Sequence, residues 1–266
     1  MRRIALFLGI LAVGTPAFVL TPWEAGQWVN YADVEGTVAV TVSLVELPNR
    51  SEGQWLQVNL LLPGMGWIVL AMALKEGGAE FIQEDVSKHV QEPGAEEEIF
   101  RDLDSLLAYY DNFGGEILLG MDTPEMEDRV VLSLTPEMLG EFLSVLGGLG
   151  EYYESAEPAV FETEEDAEVE VPAGAFTCTK ISSESGDVWY ADEVPLFGVA
   201  RVSIPDSSGK ADVVIELTDY GSSGATDALD GWPEPQPIES FLSQLISGQS
   251  YESYTDQDAL ANKKPR

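Results

Sequence analysis

Only one cysteine, Cys178, and one histidine, His89, occur in the chain, and each shortage excludes a class of chemistry. A single thiol cannot form an intramolecular disulfide, so the fold must be held by a packed core. The 266 residues are enough for one. One histidine and one cysteine cannot make up a zinc ligand set. A Ser-His-Asp or Cys-His site would have to be built on His89, and no G-x-S-x-G elbow accompanies it. His89 sits in the polar stretch 86–91 and reads as a solvated surface residue. Cys178 lies in an alternating strand and reads as a small core side chain.

Positive charge is also scarce. Thirteen basic residues face 47 acidic ones, a formal net charge of −34. Arg2 and Arg3 stand at one end and Lys263, Lys264 and Arg266 at the other, so eight cations serve the whole body of the chain. So negative a surface repels nucleic acid and anionic lipid head groups, which excludes nucleic acid as a partner. The acidity suits either solubility in a salty medium, where screening suppresses self-repulsion, or cation binding. No D-x-[DN]-x-[DN]-G spacing supports a calcium loop, and no metal site or cofactor is expected. The acids single out no catalytic pair. The chain therefore reads as a protein that is not an enzyme, with a carboxylate-dependent hydrolase as the enzymatic alternative.

Arg2 and Arg3, the apolar run 4–13 and the small residues Thr15 and Ala17 around Pro16 have the order of a secretory signal peptide over residues 1–17. The alternative is a retained N-terminal anchor, since 4–20 is largely apolar, and it would be the one contact with a membrane. Either reading exports the remainder, to the periplasm or the cell exterior. No cysteine follows the apolar run, so no lipid anchor is expected.

The body shows period-two alternation, the mark of strands with one buried face. Val38, Val40, Val42 and Leu44 point one way, the turn 48–53 reverses the chain, and Leu56, Val58, Leu60 and Leu62 continue the pattern. The strand 66–74, beginning Gly66-Trp67-Ile68-Val69, is apolar on both faces and predicts cover on both. Two helical patterns could supply it. Ile99, Leu103, Leu106, Leu107 and Tyr110 recur at helical spacing in 96–112, with Gly114 as terminator. Thr135-Pro136-Glu137 has the cap, proline and acid of a helix start and leads into Met138, Leu139, Phe142 and Leu143. Between them 130–134 predicts a short strand. Residues 151–170 hold nine acids and no base and predict an exposed connection.

A four-stranded antiparallel meander is expected next, around 176–179, 188–190, 200–204 and 213–217. A helix is expected over 237–246, carrying Ile238, Phe241, Leu242 and Leu245, and a disordered tail over 249–266. Gly174 and Gly198 suit sharp bends, and Pro172 and Pro195 suit strand starts or edges. Phe176, Trp189 and Phe197 read either as core aromatics inside a curved sheet or as the lining of an apolar cavity, with Trp67 in the same set.

The string Val171-Pro172-Ala173-Gly174-Ala175-Phe176-Thr177-Cys178-Thr179-Lys180, followed by Val188-Trp189-Tyr190 and Val194-Pro195-Leu196-Phe197-Gly198, resembles a motif of exported bacterial proteins of unknown function. Glu216-Leu217 with Tyr220-Gly221, and the opening Gly26-Gln27-Trp28-Val29-Asn30-Tyr31, are similar to further parts of that pattern. The resemblance covers the second meander well and the rest loosely. It implies the incomplete β-barrel of lipoprotein carriers (LolA/LolB-like), a curved antiparallel sheet wrapped around two or three helices, and carries no activity over. The expected architecture is thus mainly β with α, one domain over 22–248.

Two functions fit. One is a carrier or sensor of an apolar molecule, a lipid or lipid-like ligand held in the half-barrel. The other is a cell-envelope structural or adaptor module that binds another envelope protein, with the helix 237–246 as its docking element.

Overall fold

The computed structural model describes residues 22–47, 53–62, 64, 66–91, 110–111, 114–124, 126, 128–136, 138, 161–183, 186–205 and 213–247. The signal segment, the turn 48–52, residues 151–160, the turn 206–210 and the tail 249–266 lie outside them. So do the two predicted helices, apart from a helical Tyr110–Asp111 and Pro136 with Met138.

Twelve strands form one sheet. In chain order they are β1 (Trp28–Asp33), β2 (Ala39–Glu46), β3 (Gln54–Leu62), β4 (Gly66–Leu74), β5 (Gly114–Asp122), β6 (Val130–Leu134), β7 (Glu162–Val171), β8 (Gly174–Ser183), β9 (Gly186–Tyr190), β10 (Val199–Ile204), β11 (Val213–Gly221) and β12 (Gln236–Pro237). Helix α1 (Gly78–Gln91) lies between β4 and β5, and α2 (Ile238–Ser247) follows β12. Across the sheet the order is β12-β6-β5-β4-β3-β2-β1-β11-β10-β9-β8-β7. Two antiparallel meanders, β1 to β6 and β7 to β11, are thus joined where β1 pairs with β11. Among the described strands the one parallel ladder is the short one between β12 and β6.

The alternation read from the sequence sets the register. Val40, Val42 and Leu44 oppose Leu60, Val58 and Leu56, and that row continues across β4 as Ile68, Leu70 and Met72. These side chains belong to the larger of two apolar clusters, which defines the inner face. The sheet curls strongly: the β7–β8 hairpin reaches across to β11, where the Ala173 amide donates to the Leu217 carbonyl at 3.1 Å. A bulge between Glu164 and Ala167, with Asp166 at φ 58°, supplies the local twist this requires.

β7 corrects the expectation of an exposed connection, since 162–171 is an edge strand. Its acids hid the pattern. Only Ala167, Val169 and Val171 turn inward, while the Glu and Asp side chains face solvent and blunt an edge that would otherwise accept another strand. β5 was hidden too: Gly114, read only as a helix terminator, also begins that strand. Helix α1 had no clear periodicity. Ala79 and Ile82 are buried on the inner cluster and Glu80 favours the first turn. The stretch 86–91 with His89 falls on this helix; its side chains are outside those described.

The doubly apolar β4 has its outer cover, but from a strap over 222–235. Leu229 is buried there, with Ala225, Ala228 and Trp232 beside it, against Trp55, Val69, Ala71, Leu118 and Val131. Gln57, fully buried on this face, latches the strap: its Nε2 donates to Asp227 Oδ1 at 2.7 Å and its Oε1 accepts from the Ala228 amide at 2.9 Å. Gly120 gives it room, because a Cβ there would lie 2.7 Å from Leu229 Cδ2. Beyond the strap, Gln236 and Pro237 pair beside Leu132 and Ser133, and α2 turns onto the inner face with Phe241 buried.

Candidate functional site

The inner face is continuous and apolar. Every buried polar side chain among the described residues is uncharged: Gln27, Ser43, Gln57 and Ser203. Ser43 pairs across the strands with Gln57, and Ser203 with Asp187, all in outward positions. Among the described residues no charged side chain is thus fully buried, as the cost of burying an unpaired ion demands.

Into this face folds the loop between β9 and β10, residues 191–198. Ala191, Val194 and Leu196 have no exposed surface and Phe197 has 9 %. The loop is closed at its neck by the Ala191 amide donating to the Gly198 carbonyl at 2.8 Å, and internally by Val194 N–H to the Ala191 carbonyl at 3.2 Å. Trp23 caps it. The indole Nε1 donates to the Leu196 carbonyl at 3.0 Å, and the ring meets Phe197 edge-on at 5.1 Å between centroids. Tyr31 from β1 donates to the Val199 carbonyl at 3.0 Å, and burial pushes its phenol far above the ordinary range. Leu196 holds φ at 61°, a conformation a branched side chain resists, and Gly198 follows at 71°. Asp192 and Glu193 form the loop's exposed end, where partial burial and the Glu193 charge raise the Asp192 carboxyl.

The residues singled out from the sequence divide. Phe176 and Cys178 face the inner cluster, and Phe176 packs on Tyr220 of β11 at 6.0 Å. Pro195, Phe197 and Gly198 lie in the buried loop, so Pro195 does not start a strand. Pro172 and Gly174 make the exposed β7–β8 turn, with Gly174 at φ 145°. Two aromatics differ. Trp67 is 38 % exposed and shares the outward parity of Val69 and Ala71, opposite Asp122. Trp189 stands in a cross-strand row with Lys180 and Arg201, whose cations lie 5.0 and 5.2 Å from its ring. Lys180 in turn pairs with Asp187 at 3.0 Å. The Trp67 ring thus lies off the concave side, while Trp189 is half-buried and also packs against the inner cluster. Trp23 and Leu196 were missed: nothing in the spacing says that the Trp23 indole reaches a loop 173 residues away.

Burial, with the nearby Glu193 charge, pushes the Cys178 thiol up to about 12. At pH 8 the folded protein should therefore react with a disulfide exchange reagent at least a hundredfold more slowly than the urea-unfolded chain. Because the folded value lies above the unfolded one, this group's contribution to stability is whole below about pH 9. It should be lost as pH rises towards 12. Rapid labelling of native protein at pH 8 would contradict the buried placement.

Among the described residues no three His, Cys, Asp or Glu side chains converge as a metal-binding group. No described helix is long and apolar enough to cross a membrane.

No family model matches the chain, and no curated protein does. Solved structures do. A candidate lipoprotein from Parabacteroides distasonis is 13 % identical with a TM-score of 0.29, over 77 % of this chain and 98 % of that one. A candidate exported protein with a YmcC-like fold from Bacteroides fragilis is 13 % identical with a TM-score of 0.30, over 77 % of this chain and all of that one. A hypothetical protein from Chlamydia trachomatis is 11 % identical with a TM-score of 0.34, over 79 % and 92 % of the two chains.

Proposed function

We propose that this chain is an exported, non-enzymatic carrier or sensor of an apolar molecule, held on the concave side of a LolA/LolB-like open barrel wrapped around its helices. The observation that carries this reading is the inner face. Eleven strands present one uncharged, apolar surface, and the sheet's two sides end on different strands, β6 with β12 and β7, that do not pair with each other. An apolar concavity with an open seam can admit a greasy ligand from the side. Export rests on the order of residues 2–17. The adaptor alternative gains nothing from α2, whose Ile238 and Phe241 pack on the chain's own inner cluster.

The test is native mass spectrometry of protein purified without detergent or organic solvent, beside titration with the neutral fluorophore N-phenyl-1-naphthylamine. Co-purified lipid or saturable uptake at about one probe per chain is expected. Bare protein that takes up no probe would overturn the carrier reading.

A further inference from the structure

We propose that the loop 191–198 is a displaceable plug: it fills the place on the concave face where the apolar chain of a ligand binds, and it swings out when that ligand enters. The inference rests on the carrier reading and names its binding site.

Four features support it. The buried part, Val194-Pro195-Leu196-Phe197, is an apolar segment with no charged or amide side chain, so it satisfies the inner face as a ligand's hydrocarbon would. The loop is strained, since Leu196 is held at φ 61° while fully buried. Such a conformation persists only where its surroundings over-determine it, and strain of this kind collects at clamps and switches. The bond from Ala191 N–H to the Gly198 carbonyl closes the neck, and Gly198 at φ 71° is a natural hinge. The plug is also held from a remote part of the chain, by the Trp23 indole N–H on the Leu196 carbonyl and the Trp23 ring edge on Phe197. A bond between two residues so far apart in sequence can break without unravelling either strand that flanks the loop.

The loop's solvent end selects the ligand. Asp192 and Glu193 are exposed side by side, and the chain as a whole carries a formal net charge of −34. A head group arriving there meets negative charge, so the plug gives way to an apolar chain on an uncharged or cationic head and disfavours a free fatty-acid carboxylate.

Three readouts on the full chain test this with N-phenyl-1-naphthylamine as probe. Saturating probe should expose the Ala191, Val194 and Gly198 amides to hydrogen exchange while β3 amides stay protected. Trp23→Phe keeps an aromatic ring against Phe197 but leaves the Leu196 carbonyl without its donor, and it should bind the probe roughly five-fold more tightly. If that variant does not fold, Phe197→Leu, which loses the ring contact but stays apolar, should tighten binding in the same sense. A dansyl-labelled fatty acid should bind more weakly than the neutral probe, and more so at low salt. Probe binding with 191–198 still protected and affinity unchanged by the variants would overturn the plug and leave the carrier reading standing. No binding by any variant would overturn both.

Discussion

Gly66→Ala is expected to destabilise the protein by about 3 kcal/mol, with a fall in melting temperature of roughly 10 °C. Two penalties coincide. Gly66 opens β4 at φ 82°, where any L side chain is strained. Its Cβ would overlap the Asp122 carbonyl oxygen of β5 and come 3.1 Å from Thr123 Cα. Both obstacles are backbone, so no rotamer can relieve them without opening the β4–β5 ladder. Gly36→Ala separates the terms, because Gly36 has φ 67° with nothing within 4 Å of its Cβ. That variant should cost only about 1 kcal/mol, the conformational part alone. Equal losses in the two variants, measured by urea unfolding, would show that β5 yields and that the crowding is not real.

Leu229→Ala should cost about 3 kcal/mol, as large-to-small changes at fully buried sites do. Leu229 is 2 % exposed although it belongs to a strap and not to the sheet. It seats over Gly120, against Leu118 and Val131, and its amide donates to Asp227 Oδ1 at 2.8 Å. Asp227 in turn accepts from Gln57, so Asp227→Ala leaves a buried amide donor unmade and should cost about 2 kcal/mol. Nearby, Trp232 lies 5.2 Å beneath the Arg129 guanidinium, which is fixed by Asp122 at 2.9 Å. If the strap lifts as a unit, the double variant loses clearly less than the sum, since either change already frees the segment. Full additivity would mean that 225–232 is held piecemeal.

The strap marks where sequence reading stopped. The double-faced apolar character of β4 required an outer cover, and that inference was physically sound. The cover itself was not legible: Ala225, Ala228, Leu229 and Trp232 recur at i, i+3, i+4 and i+7, a helical spacing, yet the segment forms turns and no helix. A segment without its own hydrogen-bond ladder is specified by what it lands on, here Gln57 and the gap at Gly120. The same holds for the plug. Phe197 read as a core or cavity aromatic, but only the fold buries Val194 and Leu196 beside it.

Alternation sufficed where one face was apolar and the other plainly polar, as in β2, β3, β10 and β11. There the period of two fixes which side is buried whatever the partner strand. It failed in β7, where inward Ala167 and Val169 are outnumbered by acids that solvent tolerates on an edge. Trp67 and Trp189 were read as core aromatics or cavity lining. Trp189 packs against the inner cluster with Lys180 and Arg201 beside its ring, and Trp67 remains 38 % exposed. Local pattern thus determined β2 to β4, β6, β8 to β11 and the final helix. The joining of β1 to β11, the curl of β7 and β8 and the burial of 191–198 arise between residues far apart in the chain. Their energies come from contacts that no window of sequence contains.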